Sequence, residues 1–366
     1  MKRFEYIKQT GAATLITSIM LLFIITFIVL FAASYSILRQ KITANQYRYS
    51  QALQAADAGL EFGIVYLQEN KSAILANNSG GYLLPFLNAN TQNVTLANGS
   101  KYSIIYTNPI ANNYDLINVA STGVNSDSSV TRVVNQQVQN YSMIVTLPDR
   151  TITTLGEVEM KGSSKVTNTE TDQTIQAGSA IDLSGSAETI ISTGTGSTAA
   201  QLGADVEENA PSLSGLSEED LLENYFGTTS ANLKNKANDY YSNDSNTNYS
   251  DTLSGKEGTF IWIDQTDGKA TIDGSAVIGS VTQPVLLIIN GDFHLSGSAV
   301  IYGIVYVIGG TDTDITGSSQ IIGSLITTGE LKLNGSMQIT FNSSVLNALQ
   351  QMFSSYAKIP GSWRDF

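Results

Sequence analysis

The chain has 366 residues, a formal net charge of −13 and only 14% charged residues. It contains no cysteine and one histidine, His294, which excludes disulfides, thiolate metal centres, a cysteine nucleophile and any multi-histidine site. So acidic a chain lacks the cations that displace counterions from a phosphate backbone, and nucleic acid is not expected as a partner. The 42% hydrophobic content is enough for a core.

The charge is unevenly placed. In residues 1–48, Lys2, Arg3, Lys8, Arg39, Lys41 and Arg48 face Glu5 alone, which leaves a net of −18 on the remainder. A basic end on an acidic body suggests that the end meets a membrane and the body meets water. No charge occurs between Lys8 and Arg39, and residues 12–38 are almost wholly apolar. As a helix they would rise about 40 Å, more than the roughly 30 Å of a bilayer's hydrocarbon. The helical period continues beyond them: Ile42, Tyr49, Leu53, Ala56, Leu60, Ile64 and Leu67 share one stripe. No proline interrupts 12–70, so one helix of about 88 Å is expected, with Gly59 and Gly63 weakening its end.

This segment resembles the N-terminus of type IV pilin-like proteins, specifically the PilX-like minor pilins. The matching residues are a short basic leader, Gly11 followed by Ala12 and Ala13, and the apolar run. After it come Thr43-Ala44-Asn45-Gln46 and Gln54-Ala55-Ala56-Asp57-Ala58-Gly59-Leu60-Glu61. The resemblance implies cleavage of leader 1–11 by a prepilin peptidase and N-methylation of Ala12. It also implies a bacterial inner-membrane anchor before assembly, then a place in a pilus fibre at the cell surface among other pilins and minor pilins. Major pilins carry glutamate at the fifth mature position, where this chain has Ile16. That departure argues against a bulk fibre subunit and is compatible with a minor or tip subunit. The plainer alternative is an unprocessed signal anchor.

Residues 39–145 read as the amphipathic half of the helix plus a small antiparallel β head. Residues 71–100 read as loop, and strand-like runs follow at 102–107, 114–121 and 130–139. A three-stranded meander packed on the helix stripe is the simple solution.

Residues 146–342 contain a repeat, a Gly-Ser-small-x-apolar phrase opening at Gly162, Gly185, Gly274, Gly297, Gly317 and Gly335. The last three rungs align as 285–303, 304–323 and 324–342. A period near twenty residues with β-branched strands and glycine corners predicts a parallel β-helix, with a β-sandwich as the alternative. Gly185 and Gly274 are separated by 89 residues, which predicts a helical insertion at about 205–257 between adjacent rungs. Its first helix starts at Ser217 with a near capping box, a second runs from Ser230 to Tyr241, and 242–251 read as polar loop. Residues 343–366 read as a capping helix, Val345–Tyr356, over an open end, and a tail. Pro360-Gly361-Ser362-Trp363-Arg364 in that tail also resembles the end of PilX-like proteins. The expected fold class is thus mostly β with a long N-terminal α-helix, a pilin-like α+β head and a β-solenoid.

Chemistry is scarce. His294 sits on a strand and reads as a surface side chain. Asp264, Asp267, Asp273, Asp292, Asp312 and Asp314 are turn-rich carboxylates, and Gly309–Asp314 weakly resembles a calcium β-roll turn, which makes Asp312 and Asp314 the metal candidates. No cofactor and no catalytic residue is expected. The functional expectation is a minor pilin acting in assembly or priming, with adhesion to a host or surface glycan receptor as a further role. The alternative is a membrane-anchored β-helix that binds or cleaves glycans.

Overall fold

The computed structural model describes residues 10–70, 94–107, 109 and 115–365. Residues 1–9, most of the leader, and 71–93, most of the expected loop, lie outside the described residues. The chain divides into two units, one built of 1–140 with 356–366 and one of 141–355. The second unit is therefore inserted, in sequence, between two parts of the first.

In the first unit, helix α1 is unbroken over Thr10–Glu69, 60 residues or about 90 Å. Its distal half packs on a twisted sheet whose strands are β1 (Val94–Thr95), β2 (Lys101–Thr107), β3 (Leu116–Val124) and β4 (Thr131–Ser142). The order β1-β2-β3-β4 is antiparallel throughout, the meander expected from the sequence with a short edge strand added. Alternation sets the faces: Tyr102, Ile104, Tyr106, Ile117, Val119, Val134 and Val138 are buried against α1, and their neighbours point away. The stripe on α1 holds from Leu53 to Leu67, whereas Ile42 and Tyr49, expected to share it, are exposed.

The chain tail returns to this sheet. A strand at Ser354–Lys358 lies next to β4, and Arg364–Asp365 also pairs with it. Tyr356, expected in a helix, is in this strand and buried among the head residues.

The second unit is a parallel β-solenoid. Its inner column is apolar and continuous, from Ile261, Ile263 and Leu287 through Val305 and Leu325 to Ile152 and Ile175. Rungs do not stack in chain order. Strand Phe260–Ile272 pairs with Val285–Leu295, that with Val300–Ile315, and that with Gln320–Thr327. The next neighbour is Ile152–Thr154, then Ile175–Ala177. The glycine corners obey the same order: Gly297 stacks on Gly274, Gly317 on Gly297, Gly335 on Gly317, Gly162 on Gly335 and Gly185 on Gly162. Gly185 and Gly274, expected in adjacent rungs, thus stand at opposite ends of the column. The 89-residue interval is no insertion between neighbours. It carries the chain from one end of the solenoid to the other, and the last rungs grow back to meet the first.

That return is made by helices α2 (Glu218–Phe226) and α3 (Ser230–Lys234). The capping box at Ser217 and Asp220 forms as the sequence indicated, and α2 stops at Gly227. The second helix is shorter than expected, because Asp239–Asn243 is a strand that begins a terminal rung paired with 261–265. The expected loop 242–251 contains strand Thr247–Asn248 and the start of a short helix α4 (Ser250–Leu253).

One solenoid sheet is buried on both faces. Val285, Leu287 and Ile289 point into the column, while Leu286, Ile288, Ile304, Tyr306 and Ile326 point outward under Leu221, Leu222, Phe226 and Leu233. Helix α5 (Ser343–Met352) lies on this same flank, with Leu346 and Leu349 in its core. It was expected to close an open end; instead it covers the outer face of strands 300–315 and 320–327. The near-continuous apolar runs VLLII and IVYVI are the sequence trace of this two-sided burial.

Candidate functional site

The N-terminal half of α1 is long and apolar enough to cross a membrane, with mean hydropathy 2.9 in its best window and none of that window buried. Four of its hydroxyls are satisfied locally. Thr17 donates to Ala13 O at 3.0 Å, Ser18 to Thr14 O at 2.8 Å, Thr26 to Leu22 O at 2.7 Å and Ser34 to Leu30 O at 2.9 Å. In hydrocarbon such back-bonding gives each of these four hydroxyls a partner. Gly11 and Ala12 lie in the first turn of α1, while the surroundings of Ala12's side chain fall outside the described residues. Ile16 is 60% exposed on the same helix.

The second motif has a structural task within the head. Ala52, Ala55 and Ala56 are fully buried, and small residues there let the helix backbone approach the sheet. A Cβ on Gly59 would lie 2.3 Å from Ser121 Oγ, and one on Gly123 of β3 would lie 2.2 Å from the Ala52 carbonyl. Gln54 and Glu61 face outward, Asp57 is half-buried, and Asn45 and Gln46 are exposed. The Gln-Ala-Ala-Asp-Ala-Gly-Leu-Glu spacing is therefore a helix-on-sheet contact of close-packed backbones, with a polar rim.

The C-terminal tail seats on that rim. Asp365 accepts from Arg132 Nη2 at 2.6 Å and from Tyr49 Oη at 3.0 Å, and the Arg132 guanidinium lies 4.5 Å from the centre of the Tyr49 ring. Lys358 pairs with Glu61. Burial lifts the Asp57 carboxyl above its ordinary value, with Asp365 and Glu61 adding to the rise and a hydrogen bond from Trp363 opposing it. The two segments singled out for their resemblance, residues 54–61 and 360–364, are thus brought together in one unit. Their juxtaposition was not legible in the sequence, because almost 300 residues separate them.

The solenoid carboxylates are dispersed. Asp312 and Asp314, the calcium candidates, flank the Lys269 ammonium at 2.7 and 2.6 Å, and Lys332 adds a contact to Asp312 at 3.3 Å. A lysine stands where the cation was expected. Among the described residues, no three His, Asp or Glu side chains are grouped to hold a metal ion. His294 lies 3.9 Å from Asp314. Asp292 accepts from the backbone of Thr311 at 2.7 Å and of Asp312 at 3.0 Å, and Asp273 accepts from Ser250 Oγ at 2.9 Å. Asp267 gives its carbonyl to Gln265 Nε2 at 2.7 Å.

Asp264 is the most engaged of these groups. It is nearly buried and accepts from Trp262 Nε1 at 2.7 Å, Tyr240 Oη at 2.9 Å, Asn290 Nδ2 at 3.1 Å and the Lys234 ammonium. Burial pushes its carboxyl up, but the bonds from Lys234, Trp262, Asn290 and Tyr240 more than offset this and hold it below the usual range. Burial likewise raises Asp312, and Lys269 and Lys332 bring it below. A carboxyl lowered by folding stabilises the fold above its unfolded value, near pH 4, and that contribution is lost as pH falls through the folded value. The melting temperature is therefore expected to hold across neutral pH and to drop on acidification below about pH 4. Asp264→Asn should flatten part of that acid branch; an acid branch unchanged in thermal scans of the variant would refute the assignment.

Residues 10–61 match the family of PilX N-terminal segments. The N-terminal segment is PilX-like. This covers the spanning half of α1 and the helix motif, and makes the chain type IV pilin-like in that segment. Residues 307–366 match a family described only as a protein of unknown function, DUF2572. No curated protein matches the chain significantly. Among solved structures, the competence-associated pilin ComZ from Thermus thermophilus is similar at 14% identity and a TM-score of 0.28, over 87% of this chain and 97% of that one. An ice binding protein from an Antarctic bacterium of the Flavobacteriaceae is similar at 13% identity and a TM-score of 0.26, over 52% and 46%. At these scores neither likeness bears on function.

Proposed function

We propose that the chain is a minor subunit of a type IV pilus or pseudopilus. It enters the fibre through the PilX-like half of α1, at or near the tip, and acts in assembly or priming. The observation that carries this reading is Ile16, an exposed apolar side chain on an uncharged spanning helix, at the position where fibre-building pilins carry a carboxylate. A helix without that charge enters and leaves lipid at lower cost, which suits a subunit that starts or caps a fibre. The prepilin peptidase would cut between Gly11 and Ala12, and the new N-terminus would be methylated. The inner membrane and other pilins are its partners, and the solenoid is the part offered to the outside, where it serves surface adhesion. The role is structural, not enzymatic: the solenoid carboxylates with the tightest contacts are held by lysines, amides and backbone donors.

Intact mass and N-terminal sequencing of the protein from its native envelope test this directly. The expected chain starts at Ala12 with one added methyl group and sediments with sheared fibres. A chain that starts at Met1 and stays in the membrane fraction would overturn the proposal in favour of a simple anchor.

A further inference from the structure

The outer face of the head sheet, opposite α1, carries a groove of about 360 Å³. Its floor is a row across three strands, Thr107 of β2, Asn118 of β3 and Gln137 of β4, which are cross-strand partners in register. Asn135 stands two residues further along β4 and pairs through its backbone with Arg364 of the tail. Ser362 completes that side. Asn118 Nδ2 reaches Thr107 Oγ1 only at 3.5 Å. The side chains of Asn135, Gln137 and Arg364 make no hydrogen bond or ion pair among the described residues. Arg132, the other arginine of this region, is already committed to Asp365.

We infer that this groove is a binding site for a carboxylate-bearing saccharide. Side-chain amides both donate and accept, as neighbouring sugar hydroxyls do, and a row of them spaced by the strands can meet hydroxyls along a ring pair. The Arg364 guanidinium, without a partner among the described residues, supplies beside the row the fork that a carboxylate takes. Among the described residues, Pro109 is the one apolar side chain of the lining, and amides, hydroxyls and a guanidinium make up the rest. The volume lies within the range of small-molecule sites and admits about two sugar rings. The inference goes beyond the adhesive role proposed above for the solenoid by placing a receptor site on the head, and it rests on the pilus reading only for its biological use.

The test is titration of the full-length protein, held in a detergent without a sugar headgroup, with digalacturonate and with the neutral digalactose. Saturable binding of digalacturonate is expected, at least tenfold tighter than digalactose and weaker at high salt. Arg364→Gln should reduce digalacturonate affinity at least tenfold, and Arg364→Lys should restore part of it. Asn118→Ala should weaken binding while leaving the salt dependence in place, and it reports independently if the Arg364 variants fold poorly. No saturable binding, equal affinity for the neutral sugar, or an unchanged affinity in both Arg364→Gln and Asn118→Ala would overturn the site. Failure here leaves processing and fibre incorporation untouched, and failure of those leaves this titration untouched.

Discussion

Truncation after Gly323 is expected to unfold residues 151–208, although they precede the cut by more than a hundred residues. The deleted rung lies inside the column: Leu325–Thr327 pairs with Ile152–Thr154, Leu331–Leu333 with Val158–Met160, and Gln338–Thr340 with Lys165–Thr167. Its removal takes away Leu325, Ile326, Leu331, Leu333, Met337, Ile339, Phe341, Leu346 and Leu349, all buried. At about 1.5–3 kcal/mol for each such side chain, the gross loss is roughly 14–27 kcal/mol, from near the top of the 5–15 kcal/mol that typically separates folded from unfolded domains to well above it. The head loses its strands at Ser354–Lys358 and Arg364–Asp365 in the same cut. A solenoid stacked in chain order would instead be trimmed at one end, because each rung touches only its neighbours. Hydrogen exchange decides between the two. Loss of protection throughout 151–208 is the expected result, and retained protection there would disprove the spliced order.

The second large effect is expected at Gly303. An added Cβ would lie 1.8 Å from the Val285 carbonyl oxygen and 2.9 Å from its amide nitrogen, with φ at +139°. All of these neighbours are backbone, so no side chain can rotate away, and the rungs would have to part. Gly303→Ala should cost more than about 4 kcal/mol, a range reserved for overpacking and backbone strain. Gly274→Ala is the matched control: its φ is +66°, but nothing lies within 4 Å because Gly274 opens the glycine column. Only the left-handed strain remains there, about 1–2 kcal/mol. Gly297→Ala, whose Cβ would meet the Gly274 carbonyl at 2.5 Å, should fall between. Urea unfolding followed at Trp262, which is buried between the solenoid sheet and its helices, measures the series. Equal costs at the three positions would mean that rung contact does not set the glycine requirement.

Local features of this fold were legible because their causes are local. The unbroken helix follows from an apolar run continuing into a helical stripe without proline, and α1 spans nearly the expected range. The meander of β2, β3 and β4 follows from alternation and turn residues, with boundaries displaced by at most three residues. The parallel solenoid follows from a repeated phrase whose glycines all have φ between +66° and +90°. The candidate site was legible only in pieces. Residues 54–61 stood out as a motif, but their task is to let Gly123 and Ala52 approach, which depends on a strand more than sixty residues away. Asp312 and Asp314 looked available for a cation because nothing near them in sequence reveals Lys269, which register places between them.

The sequence by itself determined the spanning helix, the strand-forming segments, the glycine corners and the capping box at Ser217, since each depends on sterics or hydrogen bonds within a few residues. Only the tertiary structure decided which rung meets which. Every rung carries the same phrase and every parallel strand edge offers the same donors and acceptors, so local chemistry cannot distinguish Gly274 from Gly335 as the partner of a neighbouring corner. The choice is made by what else each arrangement buries. Carrying the chain back along the flank places Leu221, Leu222, Phe226, Leu233, Leu346 and Leu349 over the outward residues of the solenoid sheet. Stacking in chain order with a looped-out insertion gives those side chains no such surface.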